Sequence, residues 1–159
     1  MSLSLRPAAI SDVPLILKFI HALADYEHLT QEVEATEARL QATLFPPEGH
    51  PAAECVLAFV DSTPAGFAIF FTNYSTFLAK PGLYLEDLFV APEWRGQGIG
   101  KSLLLHLAKL ANARGCGRME WTVLDWNKPA IEFYDAIGAR RMHEWKICRL
   151  TGTALEQYR

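Results

Sequence analysis

Cysteine is scarce and unpatterned in this chain. Cys55, Cys116 and Cys148 are odd in number, widely spaced and form no C-x-x-C pair, so neither a disulfide framework nor a cysteine zinc site is expected. A reducing, cytoplasmic setting fits that usage. Long apolar runs are missing too: nothing approaches the roughly 18 residues of a membrane span, and MSLSLRPAAI offers no basic segment followed by an apolar core. The expectation is a protein that neither spans a membrane nor is secreted. No basic excess exists to hold nucleic acid, since 15 Lys and Arg face 18 Asp and Glu for a net charge of −3. The five histidines lack ligand spacing, so no metal is expected. Repeats, low-complexity tracts and linkers are also absent. What remains is a chain of 159 residues, 50% hydrophobic, sufficient for one core. Residues 1–159 are therefore expected to form a single domain.

Periodicity supplies the elements. Leu3, Leu5 and Pro7 suggest a short first strand. Ser11-Asp12 can cap a helix running to about Tyr26, in which Val13, Ile16, Leu17, Ile20, Leu23 and Ala24 recur at three- and four-residue spacing on one buried face. At its C-terminal end Asp25 and Glu27 oppose the helix dipole, so they are either solvated or held for a purpose. A shorter helix is expected over 36–44 and a proline-rich loop over 45–51. Residues 55–60 and 66–72 read as an antiparallel hairpin turning at 61–64, and 73–82 as a loop. A strand with two adjacent carboxylates, Glu86 and Asp87, comes next. Leu103, Leu104, Leu107, Ala108 and Ala111 stripe a helix that ends at Arg114-Gly115. Residues 119–124 are expected to be a strand, 127–137 a helix with Pro129 in its first turn, and 141–150 a last strand. The order β-α-α-β-β-β-α-β-α-β implies an α/β (α+β) fold with one mixed sheet and helices on both faces.

Between the carboxylate-bearing strand and the striped helix lies RGQGIGKS, Arg95 to Ser102. A strand that delivers the chain to a glycine-rich helix start gathers unpaired N–H groups at the positive end of a dipole, which makes an anion site. Three glycine motifs compete for it. A Walker A loop needs a glycine where Arg95 stands, and the dinucleotide pattern G-x-G-x-x-G does not fit the spacing of Gly96, Gly98 and Gly100. R-x-x-G-x-G does fit, from Arg95 through Gly98 and Gly100.

In this strand-to-helix context, R-x-x-G-x-G resembles the pyrophosphate-binding loop of the GNAT superfamily of acyl-CoA-dependent N-acetyltransferases. Within that superfamily LYLEDLFV (83–90), RGQGIGK (95–101) and DWNKPAIEFY (125–134) are similar to the diamine and polyamine branch, the spermidine/spermine and thialysine acetyltransferases. LRPA near the N-terminus and ADYEHL around Tyr26-Glu27 match as well. The resemblance implies a GNAT fold, a mostly antiparallel sheet whose central strand pair splays to admit the pantetheine arm of acetyl-CoA. It implies donor contacts from Leu88, Phe89, Val90, Arg95, Gly96, Gln97, Gly98, Ile99, Gly100 and Lys101, and from Asn127, Lys128, Pro129 and Ala130. An amine pocket would be lined by Tyr26, Glu27, Glu86, Asp87, Glu144 and Trp145. Glu86 would draw the amine proton through water, and Tyr134 would act as general acid toward the departing thiolate. A homodimer acting on a small cationic amine without a metal completes what the resemblance implies.

The residues can also be weighed by their own chemistry. Acetyl transfer to nitrogen needs a neutral amine, an acceptor for the proton it sheds, donors to the thioester oxyanion and a proton for the thiolate. Adjacent strand residues point to opposite faces, so one of Glu86 and Asp87 joins a given cleft unless a bulge brings both in. Their alternative role is an edge-strand charge that deters aggregation. Tyr134 lies three residues from both Ile131 and Ile137, a spacing equally suited to a core tyrosine, and Asn127 is also an ordinary helix N-cap. Leu88 could serve through its backbone N–H. The 73–82 stretch lacks a tryptophan found there in the spermidine enzymes and offers Tyr74 and Phe77. The function implied is acetyl-CoA-dependent transfer to a primary amine of a small diamine, polyamine or basic amino acid. The competing readings are a GNAT enzyme for a protein or peptide amine, and a non-catalytic acyl-CoA-binding module.

Overall fold

A computed structural model describes all 159 residues. Contacts within the chain gather into two compact units, Met1–Thr122 and Val123–Arg159.

The first unit is built on one five-stranded sheet, β1 (Leu3–Pro7), β2 (Glu54–Val60), β3 (Thr63–Ser75), β4 (Lys80–Val90) and β5 (Met119–Trp121), arranged in that order. Neighbours are antiparallel except β4 and β5, which are parallel, so the sheet is mixed and mostly antiparallel. The turn between β2 and β3 is shorter than the sequence suggests. Asp61 and Ser62 alone take positive φ, 46° and 72°, the geometry that matches the twist of a tight hairpin, and Thr63 already belongs to β3. The 73–82 stretch is also mostly ladder rather than loop, with Tyr74 opposite Pro81 and Ser75 opposite Lys80. Pro81 is tolerated there because its missing N–H falls on the β5 side, where Leu83 N–H meets Arg118, and β5 itself begins two residues after Gly117.

Helices cover both faces. On one side α1 (Val13–Tyr26) lays Val13, Ile16 and Phe19 against Cys55, Leu57, Phe67, Ile69 and Phe89, and α2 (Glu37–Leu44) adds Leu40. Phe19 stacks on Phe67 with ring centroids 5.4 Å apart. On the other side α3 (Ile99–Ala113) buries Leu103, Leu104 and Leu107. Burial of side chains this size contributes roughly 1.5–3 kcal/mol each. Asp12 is the N-cap residue of α1 as expected, but its side chain makes no cap bond to the helix and accepts the Ala9 N–H at 2.7 Å and two bonds from Arg6 at 2.7 and 3.0 Å. That clamp joins the end of β1 to the start of α1, and Arg6 holds the Asp12 carboxyl below its ordinary range.

Two departures concern the sheet's far side. β5 stops at Trp121 instead of reaching residue 124, and β4 pairs with it only through Leu83, Tyr84 and Leu85. From Glu86 to Val90, β4 therefore has β3 on one side and no strand on the other. This is the splayed pair that the GNAT resemblance implies.

In the second unit α4 (Lys128–Ala136) carries Pro129 in its first turn and closes at Gly138, whose φ is +90°. The last strand expected over 141–150 does not form: the segment is irregular, with one turn at His143-Glu144 and every residue exposed. Large side chains raise β propensity, but a strand exists only when its backbone groups join a ladder, and these join none. The sheet consequently has five strands where six were expected. A one-turn helix, α5 (Thr153–Glu156), follows.

Candidate active site

The pairing of β4 with β3 decides where the two carboxylates go. Gly66 through Ile69 stand opposite Val90 through Asp87, but Phe70 stands opposite Leu85, so the register shifts by one between Ile69 and Phe70. Glu86 is the extra residue of a β-bulge. Directly opposed residues share a face. Leu85, opposite Phe70, thus lies on the α3 side, and strict alternation would send Asp87 there too. The bulge turns it over: Asp87, opposite Ile69, lies with Phe89 on the α1 side.

There it meets the end of α1, where Tyr26 is the last helical residue and Glu27 the C-cap, bonded through its N–H to Leu23 at 2.9 Å. Burial, then the Glu86 charge, then the Glu27 charge push the Asp87 carboxyl up to about 6. Burial also raises Glu27 above the ordinary carboxylate range. Glu86 itself is exposed. At the α1–β4 corner the Asp87 carboxyl thus feels two further carboxylates, Glu86 and Glu27, an arrangement that a cationic ligand relieves. Asp25 stands apart from it, accepting the Thr30 hydroxyl at 2.7 Å.

The open edge of β4 points the other way. Ala91 donates its N–H to Ala65 on β3 at 2.8 Å. Alternation then directs the Phe89 and Asp87 amides toward β3 and those of Leu88 and Val90 toward the side that β5 leaves uncovered. The Val90 carbonyl accepts from Arg95 Nε at 2.8 Å. Leu88 N–H faces the gap, which suits it to an oxyanion. Phe89, whose ring is buried in the α1 core, faces β3 with its backbone.

Beyond a helical turn at Pro92–Trp94, Gly96 and Gly98 take φ of +75° and +81°, a region costly for side-chain-bearing residues. Gly98 is the N-cap of α3, no side chain caps the helix, and the first bond along it runs from Ser102 N–H to Gly98 at 2.9 Å. The amides of Ile99, Gly100 and Lys101 have no helical acceptor. An uncapped start on a 15-residue helix, with the Lys101 ammonium exposed beside it, fits the diphosphate of a coenzyme A molecule. Gln97 reaches back to the Glu93 carbonyl at 3.4 Å. Arg95 is exposed, and its side chain also packs toward the end of α1. Its guanidinium carbon lies 4.7 Å from the Tyr26 ring centroid and 5.4 Å from that of Phe89. No periodicity or spacing links Tyr26 to Arg95, so this contact was invisible before the fold.

In the second unit Asn127 precedes α4 without a side-chain cap bond, and its carbonyl accepts the Ile131 N–H at 3.0 Å. Lys128, Pro129 and Ala130 form the first turn of α4, and Tyr134 sits half-buried on it, its ring 5.5 Å from that of Phe133. Glu144 and Trp145 lie in the exposed segment after α4, with Trp145 74% exposed. Among the thiols, burial pushes Cys55 up to about 12, which removes it as a nucleophile.

Residues 19–139 match the acetyltransferase (GNAT) family. The chain is 37% identical to an L-ornithine N5-acetyltransferase of Arabidopsis thaliana, an alignment covering 96% of this chain and 86% of that one. It is 35% identical to a thialysine N-epsilon-acetyltransferase of Bos taurus, over 96% of this chain and 95% of that one. Among solved structures, an integron cassette protein from the mobile metagenome of V. cholerae superposes with a TM-score of 0.79 at 26% identity, over 99% and 98% of the two chains. An aminoglycoside acetyltransferase from an uncultured soil sample, 19% identical with a TM-score of 0.75 over 95% of each chain, shares the fold. A match that runs through both units, with relatives aligned along nearly the whole chain, makes this protein a member of the acetyltransferase (GNAT) family.

Proposed function

We propose that this protein transfers the acetyl group of acetyl-CoA directly to a primary amine of a small diamine, polyamine or basic amino acid. The observation that carries the reading is the cluster of Glu27, Glu86 and Asp87 at the α1–β4 corner. An amine is acylated as the neutral base, and a neighbouring second positive charge gives such a cluster something to hold while the reacting nitrogen loses its proton. The names of the relatives, an ornithine and a thialysine acetyltransferase, support an acceptor of that kind.

Acetyl-CoA supplies an acyl group activated as a thioester. The amides of residues 96–101, together with Arg95 and Lys101, hold the diphosphate, and Leu88, Phe89, Val90 and residues 127–130 flank the arm. Tyr26, Glu27, Asp87, Glu144 and Trp145 receive the amine. As the nitrogen–carbon bond forms and the carbon–sulfur bond breaks, Glu86 takes the amine proton through water, Leu88 N–H donates to the oxyanion, and the Tyr134 hydroxyl protonates the leaving sulfur. Solvent returns the proton from the carboxylate to Tyr134. The family match crosses the boundary between the two units, which supports one catalytic domain, and a cytoplasmic homodimer completes the reading.

The test is CoA release measured over L-ornithine, thialysine, spermidine and a lysine peptide. Turnover of a small amine in preference to the peptide is expected; no turnover of any, with acetyl-CoA shown to bind, overturns the reading. Tyr134→Phe is expected to lower kcat by about 10²–10⁴-fold while CoA binding persists. An unchanged rate in that variant removes Tyr134 from the chemistry.

A further inference from the structure

Arg95 opens the glycine loop in sequence, yet its side chain leaves the loop. The guanidinium packs against Tyr26 at 4.7 Å and Phe89 at 5.4 Å, while Nε donates to the Val90 carbonyl at 2.8 Å. Of these partners Tyr26 belongs to the wall of the amine pocket, while Phe89 and Val90 lie on the end of β4 that leads into the loop. Tyr26 directly precedes Glu27, and Phe89 shares its strand face with Asp87. The bond to Val90 uses Nε, so on this exposed side chain the Nη groups remain as donors for an anion. A planar guanidinium can do both at once, which a lysine ammonium cannot.

We propose that Arg95 is a positioning residue that couples the two substrate sites: by holding the guanidinium over its ring, Tyr26 preorganises the donor loop, and a bound diphosphate in turn fixes the end of α1 that carries Glu27. The proposal rests on the acetyl-CoA reading above. Fixing a long side chain before the ligand arrives removes an ordering cost from binding. Linkage makes the effect reciprocal, so whatever Tyr26 contributes to CoA affinity, CoA contributes to the order of the amine wall.

The experiment measures CoA affinity by calorimetry, without any amine, for the native chain, Tyr26→Leu, Tyr26→Phe, Arg95→Gln and the Tyr26→Leu/Arg95→Gln double variant. Tyr26 lies in the acceptor wall, so a residue with no part in the donor site predicts no change. The proposal expects Tyr26→Leu to weaken CoA about threefold or more, in line with the loss of one cation–π contact, and Tyr26→Phe, which keeps the ring, to bind CoA more tightly than Tyr26→Leu. In the Arg95→Gln background Tyr26→Leu should add nothing, because the partner is gone. Unaltered affinity in Tyr26→Leu, or additive losses in the double variant, overturns the coupling while leaving the acetyltransferase reading intact. No CoA binding by the native chain overturns both. Thermal melts of each variant show whether the fold persists, and if Tyr26→Leu does not fold, Tyr26→His read against Tyr26→Phe replaces it, with the same expectation.

Discussion

The two ends of β4 are one strand in the sequence and two environments in the molecule. From Leu83 to Leu85 the strand is flanked by β3 and β5, and Leu83 and Leu85 are each 2% exposed. Beyond Leu85 the neighbour on one side is missing, Glu86 is squeezed out of register, and a carboxylate replaces an apolar side chain on the interior. The first end stabilises the fold. The second end spends some of that stability on an open backbone edge and on charges held close together. A strand that was regular throughout would carry neither the gap nor the acidic corner, because pairing and alternation would place both elsewhere.

If the closed end is purely structural, Leu85→Ala should cost about 2–5 kcal/mol of stability. Denaturant titration reads that loss, and the pH profile of the surviving enzyme should keep its shape. A change in that profile would show that the two ends are not separable.

Asp87→Asn probes the charged end. The Asp87 carboxyl lies near 3.8 when unperturbed and at about 6 in the fold, so the folded chain binds its proton more tightly than the unfolded one. Stability conferred by that proton is lost as pH rises between the two values, and the penalty stands in full above about 6. The gap between those values caps the penalty at about 3 kcal/mol. Asp87→Asn should therefore raise the melting temperature at pH 8 and leave it nearly unchanged below about pH 3. In the native enzyme the KM for amine should climb as pH falls through about 6, a limb that the variant lacks. A pH-independent difference between the two proteins would refute the buried-carboxylate account.

Deleting Glu86 removes the bulge while keeping Asp87 opposite Ile69, so the core register survives on both sides. The expected result is a folded protein with kcat/KM for amine reduced about 10²-fold, the size of loss that a small misplacement of reacting groups produces. Native-like turnover in the deletion would mean that the kink and the Glu86 carboxylate are both dispensable.

The legibility of the chain follows the same division. The α1 and α3 stripes, the hairpin and the loop motif were readable because local periodicity and turn chemistry carry them. The adjacent Glu86 and Asp87 marked a candidate site, but not which face each would occupy, since one inserted residue in the pairing reverses that answer. The 141–150 segment misled for the opposite reason: its residues favour a strand, and no ladder accepts it.

Sequence alone determined the family, the glycine-rich helix start and the presence of acidic groups near Tyr26, because glycine spacing and residue type act locally. Tertiary structure alone decided that Glu86 bulges, that Asp87 turns toward α1, that β5 stops short beside Leu88, and that Arg95 lies on Tyr26. Each of these depends on which strand or ring lies opposite a residue distant in the chain, and no local pattern encodes an opposite partner.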